Sequence, residues 1–136
     1  MRGRPTWKWE EFKETAARRF PERLYATLSP GGEFVVNLST YLKMKEPEAV
    51  VLLYDSDAKT IGIRPSRLEV PNAIAVKVRH LRYSRVIRAR KFLQRHRIHL
   101  QYTVQFPNAQ IDDDGILILN LREMVMATYS PRKSGV

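Results

Sequence analysis

Apolar positions along the chain switch between two periods. Trp9, Phe12, Ala16 and Phe20 recur at helical spacing behind Thr6, which can cap a helix, and they predict a helix from about Trp7 to Phe20. Glu10, Glu11 and Glu14 stand early in it and Arg18 and Arg19 late, as the helix dipole favours, and Pro21 stops it. From Arg23 the period shortens. RLYATL (23–28) alternates weakly and predicts a strand, Ser29-Pro30-Gly31-Gly32 a turn, and Glu33 to Val36 a second strand. Asn37 is a good N-cap for a short helix from Leu38 to about Lys45, with Leu38, Tyr41, Leu42 and Met44 as its apolar side. Ala49 to Tyr54 is nearly continuous in apolar residues, as in a strand buried on both faces. Asp55 to Lys59 supplies turn chemistry, and Thr60 to Arg64 returns as a hairpin partner. Gly62 marks a bulge or a close backbone crossing.

The same order then returns more loosely. Beyond a linker at 66–73 come predicted strands at Ile74–Val78 and Ser84–Ile87, a helix over Arg88–Arg97, and a strand at Leu100–Phe106. Asp112 to Gly115 ends in Asp-Gly, a strong hairpin signal, and Ile116–Leu121 is the return strand. Val36, Tyr41 and Leu42 correspond to Ile87, Phe92 and Leu93. The chain therefore reads as a degenerate tandem: an arm and helix over 1–22, a first unit over 23–66, a second over 74–122, and a polar tail over 123–136 expected to be extended or disordered.

Composition adds bounds. With 136 residues and 43% hydrophobic content the chain is long enough for a packed core. No apolar run reaches membrane-spanning length, so no membrane partner is expected. The charged start, MRGRPTWKWEEF, argues against a secretory signal, and a cytoplasmic location is expected. The absence of cysteine excludes disulfides and thiolate metal sites.

Charge changes the picture most. Lys and Arg number 24 against 14 Asp and Glu, a net charge of +10 that attracts polyanions, nucleic acid first. No Asp or Glu occurs between Val70 and Ile111, yet Lys77, Arg79, Arg82, Arg85, Arg88, Arg90, Lys91, Arg95 and Arg97 crowd into that span, with Tyr83, Phe92 and Tyr102 interleaved. Most of these cations are Arg, whose fork suits phosphates and guanine edges. Lys43, Lys45 and Arg64 are weaker candidates in the first unit. The bland counterpart is a solvated face balanced by Glu46, Glu48 or Asp112, Asp113 and Asp114. Those three aspartates read as a hairpin turn, because no late glutamate follows in calcium-loop register. His96 and His99 have a metal-like spacing, but no carboxylate or cysteine near them in sequence completes a site. No phosphate loop, nucleophile elbow or carboxylate pair can be assembled, so neither an enzyme nor a cofactor is expected.

The stretch 24–65 resembles the SpoVT/AbrB family of swapped-hairpin DNA-binding domains. The resemblance lies in Gly31-Gly32, Phe34-Val35-Val36, the helix Leu38 to Met44, Pro47, Val50 to Tyr54, Asp55 to Asp57 and Ile61 to Pro65. Asn37 stands where the family commonly has the proline that opens the helix, and Lys45 where it commonly has the glycine that closes it. With the second unit included, the layout is similar to tandem relatives such as MraZ, although their repeated Asp and Arg signature is not evident. The resemblance implies a mixed α+β fold, mainly β, of tandem swapped-hairpin β-barrel units with short helices, joined here by an N-terminal helix. It also implies a dimer that lays a basic surface on DNA. Neither unit alone can cover its apolar strands, so a partner copy in the same or another chain is required. The expectation is a homodimeric, non-enzymatic DNA-binding protein, a transcription regulator. The alternative is a protein-interaction, assembly or antitoxin-like module, with a partner on the Trp7/Trp9 helix and a basic face that meets an acidic partner or RNA.

Overall fold

The computed structural model describes residues 6–10, 23–80 and 83–127. Eleven strands and two short helices lie among them. In the first half these are β1 (Ala26–Leu28), β2 (Glu33–Asn37), α1 (Leu38–Lys43), β3 (Ala49–Asp55) and β4 (Thr60–Ser66). The second half holds β5 (Ile74–Ala75), β6 (Lys77–His80), β7 (Ser84–Arg88), α2 (Arg90–Arg95), β8 (Val104–Gln105), β9 (Gln110–Ile111), β10 (Leu117–Asn120) and β11 (Val125–Met126). A single 3-10 turn, Leu121–Glu123, precedes β11.

The architecture is mainly β. One sheet runs β11-β8-β1-β2-β7-β6 and the other β5-β3-β4-β10-β9, with every pairing antiparallel. Both sheets are open, with edge strands left over, so the expected closed barrel is not formed. The inner face of the first sheet contributes Leu28, Phe34, Ile87 and Val104 to the core, and the second contributes Ile61, Ile63, Leu117 and Leu119. All eight are essentially inaccessible, and each contributes on the order of 2 kcal/mol by leaving water.

Strands of the two halves interleave. β2 lies beside β7 with Phe34 opposite Ile87, and β4 lies beside β10 with Ile63 opposite Leu117. The halves also dock on each other at their turns. The Ala89 N–H, at the head of α2, donates to the Gly32 carbonyl of the first half (2.6 Å). Reciprocally, the Leu38 N–H at the head of α1 donates to the Tyr83 carbonyl of the second half (2.9 Å). Gly32 is required here twice over. Its φ is +92°, and a Cβ would lie 2.5 Å from Arg90 Cα.

Local chemistry accounts for the helix ends. Asn37 caps α1, its Oδ1 accepting from the Thr40 N–H (2.9 Å). Thr40 is fully buried; its hydroxyl accepts from the Tyr25 N–H (2.9 Å) and donates to Asn37 Oδ1, tying the approach to β1 onto the helix. Each helix ends in a residue of left-handed conformation, Lys45 (φ 70°) and Arg97 (φ 56°). The next N–H reaches back five residues, Glu46 to the Tyr41 carbonyl and Ile98 to the Leu93 carbonyl. Both are cations at a position that glycine usually fills.

Several expected boundaries move. The strand foreseen over Ile74–Val78 is two: β5 pairs with β3 in one sheet, β6 with β7 in the other. Arg88 ends β7 opposite Glu33 and does not begin the helix. Of Leu100–Phe106, only Val104–Gln105 is strand. The start of the tail is not loose, since Val125–Met126 pairs with β8. Residues 6–10 form no helix, and Trp7 and Trp9 stack on one another (5.5 Å between ring centres) while 63% and 83% exposed. The rest of the helix foreseen to Phe20, and the tail from 128, lie outside the described residues.

Candidate nucleic-acid interface

The expected cations divide by element. Lys77 and Arg79 are exposed on β6, the edge of the six-stranded sheet, with a bulge between Val78 and His80. A bulged, cationic edge also blocks pairing with another chain, so these two residues have a protective use as well. Arg85, on β7, is turned to structure: its guanidinium lies 4.9 Å over the Tyr41 ring and donates to the Ser84 carbonyl (3.1 Å). That contact holds β7 against α1 and is worth about 1 kcal/mol. Arg88 pairs with Glu33 across the β2–β7 register at 3.4 Å, both side chains largely exposed. A pair of this kind contributes between about 0 and 1 kcal/mol. Arg82 lies outside the described residues.

Arg90, Lys91 and Arg95 project from α2, and Arg97 follows at its end, all four exposed. Arg90 and Lys91 occupy the first turn, where the helix dipole disfavours cations, and Ala89 offers no side-chain cap. Stability alone does not select this arrangement. Lys43 and Lys45 sit at the far end of α1. Arg64 stands on β4, opposite Val51 in the other sheet, and so does not join the group on β6 and β7.

The aromatics split as well. Phe92 is half-buried in a cluster with Tyr54 (6.1 Å) and His96 (4.8 Å). Tyr83 and Tyr102 are 59% and 47% exposed. His96 also contacts the Tyr54 ring at 4.7 Å, and no group of three His, Asp or Glu side chains among the described residues converges as a metal site would require. Asp112, Asp113 and Asp114 form the turn between β9 and β10. Asp112 Oδ1 accepts from the N–H of Asp114 and of Ile116 (both 2.9 Å), and Gly115 takes φ +82°. No helix among the described residues is long and apolar enough to cross a membrane.

Sequence reading missed a concavity on the outer face of the six-stranded sheet. It measures about 460 Å³ and is lined by Tyr25, Thr27, Glu33, Val35, Arg79, Tyr102 and Met126 among others. Alternation marks Thr27 and Val35 as facing away from the core, but the Tyr102 and Met126 walls depend on β8 and β11, which are too short to read. No family model, curated protein or solved structure matches the chain.

Proposed function

We propose that the protein binds nucleic acid, duplex DNA in the first instance, in the manner of a transcription regulator, through the cationic surface of β6 and α2. One observation carries this reading. Among the described residues, Lys77, Arg79, Arg90, Lys91, Arg95 and Arg97 form no ion pair. Of the acids that could have balanced them, Glu48 accepts from the Leu68 N–H (3.1 Å), Asp112 serves its own turn, and none forms an ion pair with these cations among the described residues. Uncompensated like charge is relieved by a polyanion, and phosphate contacts then supply affinity with a steep salt dependence. Arg side chains fix register on the backbone and read groove shape or base edges.

The interleaved halves support the resemblance to swapped-hairpin DNA-binding units, with both units in one chain. A dimer of this protein is then an association of finished folds and not an exchange of hairpins. A second reading, a protein-assembly module, is favoured by the exposed, stacked Trp7 and Trp9.

The test is duplex DNA binding at low salt by the variant with Arg88, Arg90 and Lys91 all changed to Ala. Affinity should fall, and the salt slope should shrink by about 0.9 for each phosphate contact removed. Unchanged affinity and slope would remove the DNA reading at its centre.

A further inference from the structure

The concavity on the outer face of the six-stranded sheet shares only Arg79 with the surface of the duplex reading. Its floor is the cross-strand pair Thr27 and Val35. Tyr102 and Met126 wall it on the side of β8 and β11, and Arg79 reaches in from β6. Register separates the two charged groups. Arg79 lies toward the Ser84 end of β7, and Glu33 faces Arg88 at the other end.

A volume near 460 Å³ falls in the range of small-ligand sites and is of the size a single nucleotide fills. Tyr102 is 47% exposed, which leaves ring surface for stacking. Arg79, with no acidic partner among the described residues, supplies a phosphate contact at one end. At the other end the Glu33 carboxylate, paired with Arg88, is 44% exposed at its side chain and can accept from base amino groups. A paired base in a duplex cannot enter a recess in a sheet; an unpaired one can.

We propose that this recess takes one unpaired nucleotide of a single-stranded nucleic acid, its base stacked on Tyr102 and its phosphate on Arg79. The proposal rests on the nucleic-acid reading above and narrows it: the protein engages strands with splayed bases, and the α2 cations hold the flanking backbone. Base stacking on an aromatic side chain is sequence-tolerant, so the recess sets preference for strandedness more than for sequence.

The test is fluorescence anisotropy of a labelled single strand of about eight nucleotides, within the usual span of such sites, titrated with the full chain. A duplex of the same sequence and a free mononucleotide serve as comparison arms. Tyr102→Ala and Arg79→Ala should each weaken single-strand binding about tenfold, the scale of one lost stacked base. Tyr102→Phe should bind as the parent does, and duplex affinity should not change for either Tyr102 variant, whereas Arg79→Ala, which removes a cation of the β6 surface, should weaken both forms. Single-strand affinity unchanged in Tyr102→Ala, with an unaltered circular dichroism spectrum, overturns the proposal while leaving the duplex reading intact. A mononucleotide bound as tightly as the strand also overturns it, since the strand is then not the ligand. If no polyanion binds at low salt, both readings fall together.

Discussion

Replacing Lys45 and Arg97 by glycine should make the protein more stable and a weaker binder of nucleic acid at once. Both residues hold the left-handed conformation that closes a helix, at φ 70° and 56°. An L-residue with a Cβ gives up about 1–2 kcal/mol there. Glycine removes that strain but gains freedom in the unfolded chain, which takes back about 0.5–1 kcal/mol. The net gain is about 0.5–1 kcal/mol per site. Both side chains are exposed, so no packing is lost, and the two helix ends share no hydrogen-bond partner, so the gains should add to about 1–2 kcal/mol. For a chain of this size, thermal unfolding followed by circular dichroism should rise by roughly 4–8 °C. In the same double variant, the slope of log affinity against log salt should shrink by about 0.9 for each cation that touches a phosphate. A lower melting temperature would refute the account of the helix ends. A higher one with an unchanged salt slope would show that these two cations are strained for some other reason.

Two further outcomes concern the scaffold. Gly32→Ala places a methyl 2.5 Å from Arg90 Cα at a backbone φ of +92°, and should destabilise by about 3 kcal/mol or more. Gly31→Ala, whose Cβ would meet only Ser29 Oγ at 3.9 Å, should unfold within a degree or two of the parent in the same melt, and equal losses for the two would refute the docking of the turn on α2. Thr40→Val keeps the volume but leaves the Tyr25 N–H without its acceptor, which should cost about 1–3 kcal/mol in urea unfolding; an unchanged midpoint would mean that this bond holds nothing.

Local chemistry was the legible part of this fold. Asn37 as a cap, the Asp-Gly turn at Asp114-Gly115 and the hairpin of β3 and β4 each depend on a few adjacent residues, and each stands where the residues place it. Long-range partners decided what was not legible. Ile74 to Val78 looks like one strand by alternation, yet it passes from one sheet to the other at Val76, whose N–H donates to the Glu48 carbonyl. Arg88 has helix propensity and no local reason to be strand; Glu33, far away in sequence, pairs it into β7. Val125 and Met126 carry too short a pattern to declare a strand, and only β8 makes them one. For the candidate interface, the cluster of cations was plain, but the diversion of Arg85 onto Tyr41 and of Arg88 onto Glu33 depends on cross-strand neighbours.

The interleaving of the halves has a consequence for synthesis. When β4 leaves the ribosome, the edge that will receive β10 is bare, and it stays bare until Leu117 follows. β2 likewise waits for β7, and β1 waits for β8. Pairings so distant in the chain close slowly, and a half-made chain presents apolar strands with unsatisfied backbone groups to its surroundings. Vulnerability to aggregation therefore belongs to the growing chain far more than to the finished one, and codons that slow translation across the second half would lengthen it.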